Sequence, residues 1–251
     1  MRRHNDPMDP LRVVSAGAAR ALIGRLAGSP EYDAPPLLTT FGPVGAVDTA
    51  VRGDPGFDVV ITSRVGLDAL ADLVEPGSGA EIGLVPTVPA IPAGDSLPAP
   101  ASAGDVRALL LAAGALYCAD LEKATAGRYV ARLLSELGLA GEVATRTYPE
   151  GAAALRALAE AADDAASDGG AASTGRATPI AIAQLTEVLA TPGVRALTTA
   201  SLPAPLGLET PYLAAVGSRT TRYDAAHRFV DLLTGAATAD LRTDCGFGIA
   251  Q

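Results

Sequence analysis

Residues 11–45 read LRVVSAGAARALIGRLAGSPEYDAPPLLTTFGPVG, and this stretch decides the architecture. A short apolar run, Leu11 to Val14, ends on the small residues Ser15, Ala16 and Gly17. A helical pattern over Ala18–Ala27 and a turn rich in Gly, Ser and Pro come next. A second apolar run, Pro36 to Phe41, again ends on small residues, Gly42 to Gly45. Strand, helix and strand joined by short turns form a βαβ unit, which implies a parallel sheet with helices on its faces. Working outward, the pattern predicts a helix over Ala46–Arg52, a strand over Phe57–Thr62 and a helix over Gly66–Leu73. The Pro-rich stretch Pro86–Pro100 breaks the alternation and reads as a crossover or boundary. Beyond it the spacing predicts a helix over Gly104–Ala115, a strand over Ala115–Ala119, and an amphipathic helix over Gly127–Leu137 that Gly138 stops. An Ala-rich helix over Glu150–Ala166 runs into SDGGAASTG, a flexible surface loop by composition. Strands over Pro179–Ala183, Val194–Thr199 and Tyr212–Val216, with helices over Leu185–Ala190 and Ala225–Thr234, complete the chain; no internal repeat is visible.

Composition narrows the chemistry. The 251 residues carry 19 Lys+Arg against 28 Asp+Glu, a net charge of -9, which gives no electrostatic footprint for nucleic acid or an anionic membrane. Two Cys (118 and 245) make no disulfide scaffold, and two His (4 and 227) leave no zinc cluster. No metal and no cofactor are expected. The apolar runs are too short to span a membrane, so no membrane insertion is expected. Met1 to Pro10 lacks the apolar core of a secretory signal, so the expected location is the cytoplasm, or the periplasm or exterior if a leader has been removed. Hydroxyls, amides, carboxylates and backbone remain for any chemistry.

Four strand-to-helix junctions gather such groups, where helix N-termini offer N–H donors and partial positive charge. They are Val14-Ser15-Ala16-Gly17, Thr39-Thr40-Phe41-Gly42-Pro43-Val44-Gly45, Thr125-Ala126-Gly127-Arg128-Tyr129 and Gln184-Leu185-Thr186-Glu187. Together they suit an anion cradle. Each also has a plain structural role: Ser15, Thr40 and Thr125 as N-caps, Arg128 on a solvated face, Tyr129 and Tyr212 in packing, Glu187 against a helix dipole. His227 reads as structural and Cys118 as an inert buried thiol.

The order of these junctions resembles a known family. LRVVSAGA, FGPVGAV and GFDVVITS followed by LDALADL resemble the first lobe of type 2 periplasmic binding proteins, the molybdate-binding branch in particular. ADLEKATAGRYVARLLSELGL is similar to the family helix whose start touches the bound anion, and AAHRFVDLLTGAATADLRTDCGF to its closing helix and Gly-Phe ending. The resemblance implies an α/β fold of two lobes, each a mostly parallel sheet flanked by helices, with the ligand in the cleft between lobes. Lobe 1 takes residues 11–85 plus 205–251 and lobe 2 residues 86–204, with 1–10 a tail and 163–177 a flexible loop. It implies ligand contacts from Ser15, Ala16, Gly17, Thr40, Gly42, Val44, Gly45, Ser63, Thr125, Ala126, Gly127, Arg128, Gln184, Thr186 and Tyr212.

Two departures bear on the ligand. Pro43-Val44 stand where the family carries a Ser before its Gly, and Gln184 stands where it carries a Tyr that reaches the oxyanion. A buried oxyanion deprived of donors costs several kcal/mol, which argues against molybdate. ALLLAAGALYCAD, PIAIAQLTEVLA and LPAPLGLETPY look closer to a sister branch that includes aconitate isomerase. That resemblance implies a di- or tricarboxylate ligand and an isomerase that moves a double bond by allylic proton transfer. Glu187 is the first expected proton carrier and Tyr129 the second, followed by Tyr212 and Glu209. The alternatives are a non-catalytic solute-binding protein of an ABC transporter, taking a carboxylate or a molybdate-type oxyanion, or a cytosolic ligand sensor. An ABC permease is the expected partner in the transporter case only.

Overall fold

In the computed structural model, which describes residues 9–33, 35–122, 124–167 and 177–248, β1 (Leu11–Ala16) is a central strand. It leads through a 3₁₀ turn (Gly17–Ala19) into α1 (Arg20–Ala27), then β2 (Leu37–Gly42), α2 (Val44–Gly53), β3 (Val59–Ser63) and α3 (Arg64–Ala69). β1 pairs in parallel with β2 on one side and β3 on the other. The fourth strand of this sheet, β9 (Glu209–Val216), comes from the far end of the sequence and pairs antiparallel with β3, Val59 opposite Val216. α8 (Tyr223–Thr234) and α9 (Ala239–Asp244) follow it. This first unit comprises the chain up to Val85 and again from Thr210.

The second unit is the continuous run Pro86–Glu209. β4 (Ala80–Pro92) leads into it, and α4 (Ala103–Ala112), β5 (Leu116–Ala119), α5 (Thr125–Glu136), β6 (Thr145–Tyr148), α6 (Gly151–Ser167), β7 (Ile180–Gln184), α7 (Leu185–Leu189) and β8 (Val194–Ala196) follow. β5 is the centre here, parallel to β6 and β7, and β4 lies antiparallel to β7 with β8 on its other side. Each unit therefore holds three parallel strands with the first of them in the middle, bordered by one antiparallel strand.

Burial explains the runs read from the sequence. Leu11 and Val13 of β1, Val59 to Ile61 of β3, Leu22 and Leu26 of α1, and Phe229 and Leu233 of α8 form one core. Each such side chain contributes about 1.5–3 kcal/mol when fully buried. In the second unit the sheet is covered on both faces. Leu116, Cys118 and Ile182 meet Val130 and Leu133 of α5, while Tyr117, Ala181 and Ala183 meet Leu155 and Leu158 of α6. Strand side chains alternate between faces, so a doubly covered strand must be apolar throughout. α5 ends as its sequence predicts. Gly138 takes φ 66°, Leu139 N–H donates to Leu134 O (2.7 Å) and Gly138 N–H to Ser135 O (3.0 Å), the paired bonds of a Schellman stop.

Three sequence expectations are revised. Residues 86–92, the start of the stretch read as a crossover or boundary, form part of a strand although Pro86, Pro89 and Pro92 lie in it, and the division between the two units falls at Pro86. Proline fits an extended backbone and loses only its donor; the carbonyls still serve, Pro89 O accepting from Leu197 N–H at 2.9 Å and Pro92 O from Asp95 N–H at 3.0 Å. β6 and α9 were not expected at all, because TRTY is a half-exposed edge strand and α9 is only a turn and a half long. Of the stretch 163–177 read as loop, 163–167 finish α6 and 168–176 lie outside the described residues, as do residues 1–8 of the N-terminal tail.

At the opposite end of the first sheet from its helix starts, Asp58 is 1 % exposed. Its carboxylate accepts from Arg12 N–H (2.8 Å), Thr220 Oγ1 (2.5 Å) and Arg222 Nη1 (3.4 Å). A buried carboxylate persists only with such partners.

Candidate functional site

Parallel pairing sets the strand ends of each unit side by side. In the first unit Ala16 faces Gly42 and Ser15 faces Ile61, so Ser15–Gly17, Gly42–Gly45 and Ser63 share one end of the sheet. Tyr212 joins them as the register partner of Ser63. In the second unit Ala119 faces Tyr148 and Cys118 faces Ile182, so the starts of α5, α6 and α7 share one end.

The helix starts of the first unit are sparsely filled. Ser15 is fully buried and its hydroxyl donates to the Ala16 carbonyl (3.0 Å). Ala16, the N-cap of the following turn, supplies no side-chain acceptor. α2 begins after Pro43, which supplies none either; only Ala46 and Val47 N–H return to the Pro43 carbonyl (2.8 and 3.1 Å). The first N–H groups of a helix have no partner inside it and seek one elsewhere. At Gly17 and at Gly45, no atom lies within 4 Å of where a Cβ would stand. Neither glycine is demanded by packing or by a positive φ, so both keep space open beside backbone donors. Thr40 is exposed on β2. α3 differs from α2: Ser63 accepts from Gly66 N–H (3.2 Å) and closes its start. Tyr212 is buried edge-on against Phe247, ring centroids 6.3 Å apart.

The second unit presents the start of α5. Its N-cap, Ala124, gives no side-chain cap. A Cβ on Gly127 would overlap the Asp120 carbonyl oxygen, so glycine lets the helix start press against the end of β5. Arg128 folds back over this start, Nη1 donating to Glu122 O (3.2 Å) and Nη2 to Thr125 Oγ1 (3.3 Å). Ala126 lies half-buried between them. Tyr129 points inward and donates to Leu206 O (2.7 Å); burial pushes its phenol up to about 12. Gln184 is the N-cap of α7 and Thr186 is 2 % exposed, its hydroxyl buried without a hydrogen bond. Thr62 at the end of β3 and Thr87 in β4 carry buried hydroxyls in the same condition.

Glu187 is spent internally. Its carboxylate accepts from the backbone N–H of Gln184 and of Ala152, so it caps α7 and the start of α6 at once. A Cβ on Gly151 would overlap its Oε2. Burial, then the neighbouring Glu150, raises its pKa to about 7 against the pull of those N–H groups and of Arg156. The sequence places Glu187 at the start of α7, as found, but not at that of α6, because Gly151 reaches it only through the fold. Sequence reading also missed Arg20, whose guanidinium lies 4.1 Å from the centre of the Phe41 ring. Among the described residues no group of three or more His, Cys, Asp and Glu side chains is placed to hold a metal ion.

Solved structures with the same fold include the periplasmic molybdate-binding protein of Azotobacter vinelandii (16 % identity, TM-score 0.72, 96 % of this chain and 100 % of that one). The sulfate-binding protein SubI of Mycobacterium tuberculosis H37Rv matches at 17 % identity and TM-score 0.64, over 95 % of this chain and 86 % of that one. PEB3 with bound L-phospholactate matches at 12 % identity and TM-score 0.63, over 96 % and 100 %. At these identities the likeness concerns the fold. A search of curated proteins finds no match. A profile of the family described as bacterial extracellular solute-binding protein matches residues 11–248.

That match overturns the isomerase expectation, since the family and the structural neighbours are solute-binding proteins. The two side chains expected to carry protons have structural employment that accounts for them: Tyr129 holds the Leu206 loop, and Glu187 joins two helix starts. From strand β1 to the Gly-Phe ending, the chain belongs to the bacterial extracellular solute-binding protein family.

Proposed function

We propose that this protein captures a small anion without transforming it, using backbone donors at its helix starts, and hands it to the membrane permease of an ABC transporter. The observation that carries the reading is the start of α2: ten residues long, uncapped by its N-cap side chain, with open space at Gly45 and at neighbouring Gly17. Such a start attracts an anion through its unpaired N–H groups and the helix dipole. In the second unit the start of α5, with Thr125, Ala126, Gly127 and Arg128, offers the same chemistry plus a fixed positive charge. This reading gives the protein a place outside the cytoplasmic membrane.

Within anions, an organic carboxylate or phosphate fits the donor set better than a bare tetrahedral oxyanion. Val44 brings no hydroxyl to the start of α2, and the Ser15 hydroxyl is committed to the Ala16 carbonyl. A tetrahedral oxyanion buried among too few donors pays several kcal/mol of lost hydration. The likeness to PEB3 with bound L-phospholactate is in keeping with an organic anion, whereas the molybdate- and sulfate-binding neighbours favour a tetrahedral oxyanion.

A thermal-shift and calorimetric panel of acetate, succinate, citrate, phosphoglycolate, sulfate and molybdate tests both. At least one anion should bind saturably, and Gly45→Val, which fills the open space, should weaken it about tenfold or more while the protein stays folded. Saturable binding by no anion, or unaltered binding by Gly45→Val, would overturn the proposal.

A further inference from the structure

Arg20 occupies a place where helices disfavour cations. It is the first residue of α1, directly after the 3₁₀ turn Gly17–Ala19, so its charge sits at the positive end of a helix dipole. Arg20 is exposed, and its guanidinium carbon lies over the Phe41 ring, 4.1 Å from the ring centre. A guanidinium held over a ring keeps N–H groups for other partners, and arginine takes a carboxylate or phosphate through two such bonds. Among the described residues no carboxylate and no carbonyl accepts from it, although the chain carries nine more acidic than basic groups. Arg12, Arg25, Arg52, Arg64 and Arg222, by contrast, all pair with acidic side chains.

Its neighbourhood is the open end of the first sheet. Phe41 is the register partner of Ser15 and directly precedes Gly42, and Arg20 follows Gly17 by three residues. The second unit repeats the placement. The helix after its central strand begins Thr125-Ala126-Gly127-Arg128, as the turn after β1 begins Gly17-Ala18-Ala19-Arg20, with arginine fourth in both. At Arg20 a cation with no acidic partner among the described residues, set at the dipole end that repels it, breaks a local rule. Such breaks are expected where a ligand supplies the missing charge.

We infer that Arg20, stacked on Phe41 beside the open start of α2, grips a second anionic group of the ligand, so that the protein selects organic anions bearing two separated anionic groups. The first group takes the amides around Gly17 and Gly45, and the second takes the Arg20 fork. The inference rests on the anion-binding reading and adds to it a specificity-determining residue.

Isothermal titration of the wild type, Arg20→Gln, Arg20→Lys and Phe41→Leu with acetate, succinate, phosphoglycolate, sulfate and molybdate tests it. The wild type should prefer succinate or phosphoglycolate over all three single-group anions, and which of the two binds tighter tells whether the second group is carboxylate or phosphate. Arg20→Gln should lose about tenfold or more for the two-group anion and change little for acetate. Arg20→Lys, which keeps the charge and loses the fork, should fall between, and Phe41→Leu should lose a few-fold. If sulfate or molybdate binds the wild type as tightly as either two-group anion, or if Arg20→Gln leaves the two-group affinity within about twofold, the inference fails while the anion-binding reading stands. Saturable binding by none of the five overturns both.

Discussion

The two units share a strand order and differ in what fills the start of the helix that follows their second parallel strand. In the first unit that helix is α2, whose start is open at Gly45. In the second it is α6, whose start is occupied by a carboxylate from the chain itself, Glu187, packed against Gly151. The helices after the third parallel strands are both closed, α3 by Ser63 and α7 by Glu187. One architecture thus presents the same backbone donors in both units, and side chains decide which starts are available. Only the open ones are candidates for a ligand, and the difference comes down to single residues.

The strongest way to break this contrast is through the glycines that look alike in sequence. Gly127→Ala should cost about 3 kcal/mol or more in chemical denaturation, because the new methyl meets the Asp120 carbonyl, which belongs to the backbone and cannot swing away. Gly45→Ala, with open space around it, should stay within about 1 kcal/mol of wild type, on the stabilising side, since alanine favours helix over glycine. Equal losses at the two positions would erase the distinction.

Next in size is the carboxylate that fills α6. The Glu187 pKa is raised from 4.5 to about 7. A carboxyl raised on folding contributes stability that is complete below its unfolded pKa and is lost as pH rises through the folded one. Relative to wild type, Glu187→Gln should therefore gain about 2 kcal/mol between about pH 5 and about pH 8, read from urea midpoints across that range. A difference independent of pH would show that the group is not held in the way its partners imply. The smallest effect is expected at Val44. Val44→Ser adds a hydroxyl at the open start and should raise molybdate affinity a few-fold, with stability changed by about 0.5 kcal/mol or less. No rise in molybdate affinity would mean that the missing hydroxyl is not what sets the preference among anions.

Much of this was legible in the sequence, for reasons that particular residues make plain. The βαβ reading of 11–45 held because its apolar runs are buried on the sheet and its breaks fall at small residues, and Gly138 ended α5 through a positive φ that glycine alone adopts at little cost. The open start of α2 was visible as Gly-Pro-Val-Gly, with no residue able to cap it. What escaped were relations set by tertiary packing. Glu187 and Gly151 are neighbours only after α6 and α7 have docked on the sheet, and Arg20 meets Phe41 only once β1 and β2 have paired. The prolines of β4 misled because the rule against proline in strands concerns donors, and the β4 carbonyls still found theirs.

The antiparallel strand β9 has a consequence for the order in which the protein can be made. The second unit is one uninterrupted run and emerges whole from the ribosome. The first unit waits: Val59 stays without its partner until Val216 has been synthesised, and Asp58 meets Thr220 and Arg222 only after that. For most of translation the inner edge of β3 is an unpaired strand edge, the kind of surface that recruits wrong partners. The nascent chain is thus most exposed to misassembly during that interval, and the arrival of β9 ends it.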